Sequence, residues 1–142
     1  MIRNYQPTDI DCVVSVWRKA SELAHPFLTR EFLDTEADAV RNIYPQYAEI
    51  RVTLVDNQVV GFIAMLEDEI GGLFLDPQYH GRGLGRAMIK DAVSQRGTIN
   101  VEVFEKNAIG RRFYERCGFI FEKEAFHEAS NQPTLRLSLK PA

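Results

Sequence analysis

The chain has 142 residues, of which 45% are hydrophobic, 11% aromatic and 26% charged, with a formal net charge of −3. That balance describes one globular domain spanning 1–142, long enough to bury roughly 70% of its unfolded surface without disulfides. It excludes a disordered chain, a coiled coil and collagen. The charge is divided: residues 1–79 carry 6 Lys and Arg against 13 Asp and Glu, and residues 80–142 carry 11 against 7. The overall negative excess argues against a nucleic-acid partner. The split points to an anion held by the second half and a cation welcomed by the first. The longest apolar stretch near the start, Cys12-Val13-Val14, breaks at Ser15, and nothing approaches a membrane span or a secretory signal. Cys12 and Cys117 lack CxxC spacing, so neither a zinc site nor a disulfide framework is expected, and two free thiols fit a cytoplasmic setting.

Ile2 to Tyr5 alternates as a short strand, punctuated by Pro7-Thr8-Asp9. Thr8 or Asp9 is expected to cap a helix whose apolar residues Ile10, Val13, Val14 and Trp17 share one face, fading near Glu22. A second helical pattern runs from about Thr29 to Tyr44 and stops at Pro45. Ile50–Val55 and Val59–Leu66 form a hairpin across Asp56-Asn57, and Glu69–Leu75 is a third strand ending at Asp76-Pro77. Gly81, Gly83 and Gly85 then crowd a turn that opens a helix carrying Met88, Ile89 and Ala92. Thr98–Val103 reads as a strand and Ala108–Arg116 as a helix stopped by Gly118, followed by strands Ile120–Phe126 and Thr134–Leu139. The order β-α-α-β-β-β-α-β-α-β-β predicts an α/β domain with a mixed, mostly antiparallel sheet flanked by helices.

The glycine turn carries the chemistry. Glycines let backbone amides approach an anion, and the dipole and free amides of the following helix favour phosphate. Arg82 and Arg86 add charge. No Gly-Lys-Ser/Thr follows, which excludes a P-loop, and after Gly81-Arg82-Gly83 the dinucleotide fingerprint would need glycine where Arg86 stands.

Downstream of the turn lie Asn107 and Phe113-Tyr114-Glu115-Arg116-Cys117-Gly118-Phe119. Together with Leu75-Asp76-Pro77 and His80-Gly81-Arg82-Gly83-Leu84-Gly85, they make the whole chain resemble the GCN5-related N-acetyltransferase (GNAT) superfamily, as small single-domain bacterial members. His80 departs from the Gln or Arg usual there, which affects one side-chain contact.

The resemblance implies acetyl-CoA as co-substrate; no His, Cys, Asp and Glu cluster has metal-ligand spacing, so no metal is expected. The resemblance also implies that the backbone of Leu73, Phe74 and Leu75 binds the pantetheine arm. The pyrophosphate would rest on the amides of His80, Gly81, Arg82, Gly83, Leu84 and Gly85, with Arg86 opening the helix and Asn107 holding the pantetheine or acyl end. Tyr114 matches the tyrosine facing the CoA sulfur, where a phenol can protonate a leaving thiolate. Glu69 is a candidate base acting through water, although Glu67, Asp68 and Glu69 also read as a solvated acidic turn. His25 and Phe27 fall where the resembling fold lines the substrate side. Phe27 also reads as core or as packing between the two helices and the sheet, with Trp17, Phe32 and Tyr44, while Cys117 reads as structural and His127 as a border of the acceptor pocket.

The expected activity is acetyl transfer to a primary amine (a protein lysine, a peptide N-terminus or a small amine) in a ternary complex, by a monomer or homodimer. The alternative is a non-catalytic acyl-CoA-binding sensor.

Overall fold

The local signals become elements close to where the periodicities put them. The computed structural model describes residues 1–142. Its strands are β1 (Ile2–Asn4), β2 (Glu49–Val55), β3 (Gln58–Leu66), β4 (Glu69–Leu75), β5 (Ile99–Phe104), β6 (Ile120–His127) and β7 (Gln132–Leu139). Its helices are α1 (Ile10–Ala24), α2 (Arg30–Asn42), α3 (Leu84–Arg96) and α4 (Ala108–Cys117). Asp56 and Asn57 both take positive φ, the backbone of a two-residue hairpin turn matched to strand twist. The Thr29 side chain accepts from the Phe32 amide and starts α2.

Two expectations are corrected. α1 is not capped by Thr8 or Asp9: the Asp9 carboxylate instead takes Arg3 Nη1 and Nη2 at 2.8 and 3.0 Å and the Gln6 amide at 2.9 Å. A bidentate guanidinium outcompetes a single cap bond. α1 therefore begins without a side-chain cap and runs on to Ala24. Tyr44 is not core; it is 41% exposed, because the short turn Tyr44–Gln46 after α2 swings it to the surface.

The seven strands form one sheet in the order β1-β2-β3-β4-β5-β7-β6, antiparallel throughout except for β4 beside β5. That one parallel pair determines the rest. Its register covers only Glu69 opposite Asn100 and Ile70 opposite Val101. Along β3 the pairing jumps from Ala64–Gly72 to Met65–Ile70, so Gly71 is a β-bulge that bends β4. Past Ile70, β4 is paired along β3 alone, and its other edge opens into a wedge beside β5.

β3 is buried on both faces. Its Phe62 and Ala64 meet Val13, Val16 and Trp17 of α1 and Leu33 and Val40 of α2. Its Ile63 and Met65 join Met88, Ile89 and Ala92 of α3 and Tyr114 of α4 on the other face. Helices thus clamp both sides of the sheet, and α1, α4 and the turn before α3 converge on the mouth of the wedge.

Candidate active site

Two cavities open on the wedge, and they are built from opposite charges. The first, of about 460 Å³, lies between the unpaired edge of β4, the glycine turn and α4. It brings together Leu73, Phe74 and Leu75 with His80, Gly81 and Gly83, and on the same wall Leu84, Gly85 and Arg86. Asn107, Tyr114 and His25 complete it. Arg86, Arg112 and Arg116 border it, and no carboxylate does. The second, of about 560 Å³, lies between α1, α2 and the other face of β3, β4 and β5. Its charged lining is Glu36, Glu69 and Glu102, with no Lys or Arg. His25 and Phe74 line both cavities and so mark where they meet.

The turn is shaped for an anion. Gly81 and Gly83 take φ of +80° and +79°, and a Cβ on either would meet nothing within 4 Å, so the cradle is open. Gly83 is the N-cap of α3, whose first amides have no partner within the helix. His80 Nε2 lies 3.3 Å from the Leu75 carbonyl and ties the turn to the end of β4. Arg86 Nη2 donates to the Arg116 carbonyl at 3.3 Å, linking α3 to α4. Arg82 points elsewhere, stacking 4.9 Å from the centre of the Tyr79 ring.

Gly85 is needed for a different reason. A Cβ there would stand 2.7 Å from Phe113 Cε1, so only glycine lets α3 and α4 approach this closely. Gly85→Val is expected to cost about 1–3 kcal/mol by overpacking, measured as a lower denaturant midpoint at unchanged m-value. An unchanged midpoint would show that Phe113 relaxes freely.

Tyr114 sits on α4 with its ring buried in edge-to-face contact with Phe113 and Phe119, at centroid distances of 5.1 Å for both. Burial, and secondarily the nearby Cys117, pushes its phenol well above its ordinary value. The hydroxyl therefore keeps its proton beside the first cavity.

His25 and Asn107 come from opposite ends of the chain. Asn107 Oδ1 accepts from the Gly110 amide at 2.8 Å, capping α4, which turns Nδ2 toward His25 Nε2 at 3.1 Å. Nε2 is then the acceptor, and the imidazole proton resides on Nδ1. Its ring packs edge-on against Phe27 and Phe104, at 5.7 and 4.9 Å between centroids. Phe27 itself lines neither cavity; it supports His25 from behind and carries Lys106 Nζ 5.9 Å from its ring centre.

Burial lowers the His25 pKa from 6.5 to about 4. A neutral buried histidine has a signed consequence. Between the unfolded and folded values the unfolded chain binds the extra proton, so stability falls as pH drops from about 6.5 to about 4 and this contribution is spent below that. The loss is up to about 3 kcal/mol. His25→Gln is expected to flatten that part of the stability profile in urea titrations. An unaltered profile would place the proton uptake on another group.

Glu69 belongs to the second cavity. Its Oε1 accepts from Arg136 Nη2 at 2.6 Å, and Arg136 Nη1 donates to Glu102 Oε1 at 3.3 Å. Thr134 Oγ1 donates to Glu102 Oε2 at 2.6 Å. Glu67 and Asp68 remain exposed in the turn, so only the last member of that acidic run faces the site. His127 also lines this cavity, its Nδ1 held by Ser130 Oγ at 2.6 Å. Glu102 and Arg136 went unnoticed in the sequence. They are cross-strand partners on β5 and β7, and the sole local hint is a charge at an alternating position within each strand.

A family model described as Acetyltransferase (GNAT) domain matches residues 46–121. Two Escherichia coli (strain K12) proteins named as peptidyl-lysine N-acetyltransferases are similar. YiaC is 25% identical over 139 residues, covering 97% of this chain and 95% of its own. YjaB is 29% identical over 119 residues, covering 83% and 80%. The solution structure of apo YjaB superposes with a TM-score of 0.88 at 26% identity, covering 97% of this chain and 95% of that one. The PaiA N-acetyltransferase of Thermoplasma acidophilum, solved in complex with coenzyme A, shares the fold with a TM-score of 0.78 at 18% identity, covering 99% and 98%.

Proposed function

The chain belongs to the GNAT acetyltransferase family and is an acyltransferase, and from that premise we propose that it transfers an acetyl group from acetyl-CoA to a lysine side-chain amine. The observation that carries this reading is the meeting, at His25 and Phe74, of an arginine-bordered cavity with a carboxylate-bordered one. A polyanionic donor suits the first, and a cationic acceptor suits the second. The names of YiaC and YjaB favour a peptidyl lysine among the possible amines.

The residues fit acetyl-CoA as the donor. The open amides of the glycine turn and the α3 N-terminus suit a pyrophosphate, with Arg86, Arg112 and Arg116 supplying positive charge. The free edge of β4 at Leu73–Leu75 offers N–H and C=O groups to an amide-bearing arm, as an added strand would take them. The same edge can donate an N–H to the developing oxyanion. Asn107, on the wall of the same cavity, caps α4 and orients His25, and its second N–H is left for the pantetheine or acyl end.

Amide formation removes two protons from the ammonium nitrogen and delivers one to the leaving sulfur. A lysine amine has a reference pKa near 10.4 and must lose a proton before its nitrogen can attack the thioester carbon. Glu69, whose carboxylate accepts from Arg136 Nη2, takes that proton through water. As the carbon–sulfur bond breaks, the Tyr114 hydroxyl gives its proton to the sulfur, and the second proton of the attacking nitrogen, passed through solvent, restores the phenol. A binding-only sensor has no use for a phenol held protonated at that position.

The test is incubation of the full chain with acetyl-CoA and a lysine peptide, with the product mapped by fragmentation mass spectrometry. Acetyl on the lysine Nζ is the expected result. Bound acetyl-CoA with no acetylated lysine would overturn the acceptor assignment.

A further inference from the structure

The second cavity says more about its acceptor than that it is cationic. Behind its wall one guanidinium, Arg136, spans two lining carboxylates, Glu69 and Glu102, leaving a net charge of one negative unit. The third carboxylate, Glu36, is already engaged, accepting from the Tyr44 hydroxyl at 2.9 Å. That arrangement suits an ammonium group seated against the paired carboxylates.

The wall near this array is built differently. Ile43, Tyr44 and Tyr47, after α2, and Leu66, the cross-strand neighbour of Glu69 at the end of β3, all line this cavity. They are 47%, 41%, 73% and 46% exposed. Apolar side chains left this open around one mouth are a contact surface rather than core. Arg136 is already paired with both carboxylates and no Lys or Arg lines the cavity, so an acidic group placed beside the amine would meet net negative charge.

We propose that the acceptor is a lysine flanked by large apolar residues: its ammonium seats against the Glu69–Arg136–Glu102 array, and its neighbours cover the rim of Ile43, Tyr44, Tyr47 and Leu66. This rests on the lysine reading above and adds the sequence context of the lysine.

The experiment uses the full chain, saturating acetyl-CoA and three peptides differing only in the residue X placed on both sides of one lysine: Phe, Ala or Glu. The expected order of kcat/KM is Phe over Ala over Glu, with Phe ahead of Ala by about tenfold, as for a modest change of apolar contact. Tyr47→Ser, at a position too exposed to affect folding, is expected to bring the Phe-to-Ala ratio near unity. Glu102→Gln is expected to narrow the Ala-to-Glu gap, because it removes the repelling charge. Equal rates for the three peptides, or a Phe preference that Tyr47→Ser leaves intact, would overturn this inference while acetyl transfer to lysine still stood. Acetylation of none of them would overturn both.

Discussion

Tyr114→Phe is expected to lower kcat by roughly 100-fold or more, the range a positioned general acid commands. The substitution removes one oxygen and nothing else. The ring contacts with Phe113 and Phe119 persist, so the thermal midpoint should stay within about 2 °C. The KM for acetyl-CoA should change little, because donor binding rests on the turn and the β4 edge. Since burial holds the phenol well above its ordinary value, the wild-type rate should show no alkaline loss attributable to this group across the neutral range. A variant that keeps its turnover would remove Tyr114 from the mechanism.

Gly83→Val should act on the other substrate. Gly83 stands at φ +79° as the N-cap of α3, where a β-branched residue is strained, at about 1–2 kcal/mol. A Cβ there meets no protein atom within 4 Å, so the cost is backbone strain and obstruction of the cradle rather than a clash in the core. The expected outcome is a rise of roughly tenfold or more in the dissociation constant for acetyl-CoA, read by titration calorimetry. The acceptor KM, measured at saturating donor, should move much less. Equal losses for both substrates would point to a general distortion rather than a lost anion site.

Much of this was legible in the sequence because the signals were local. Asp56-Asn57 and Gly118 are a turn and a helix stop whose conformations follow from their own chemistry, and each does what its type predicts. The glycine turn was readable for the same reason. Long-range features were not. The wedge between β4 and β5 comes from a bulge at Gly71, and no pattern within Glu69–Leu75 announces which glycine goes unpaired. β7 inserts between β5 and β6, an order that hairpin signals leave open. Glu69 looked like the end of a solvated acidic run; its partner Arg136 lies 67 residues away. His25 and Asn107, 82 residues apart, meet only because α1 ends where α4 begins. Asp9 and Tyr44 were misread because local rules took no account of Arg3 competing for a carboxylate or of the turn that follows α2.

The most direct measurement is the release of free CoA thiol from acetyl-CoA, with and without a lysine peptide, for the wild type beside Tyr114→Phe and Gly83→Val. Peptide-dependent release by the wild type is predicted, slowed in Tyr114→Phe at every donor concentration and in Gly83→Val only when acetyl-CoA is limiting. Release that ignores the peptide, or that all three proteins share equally, would contradict the account.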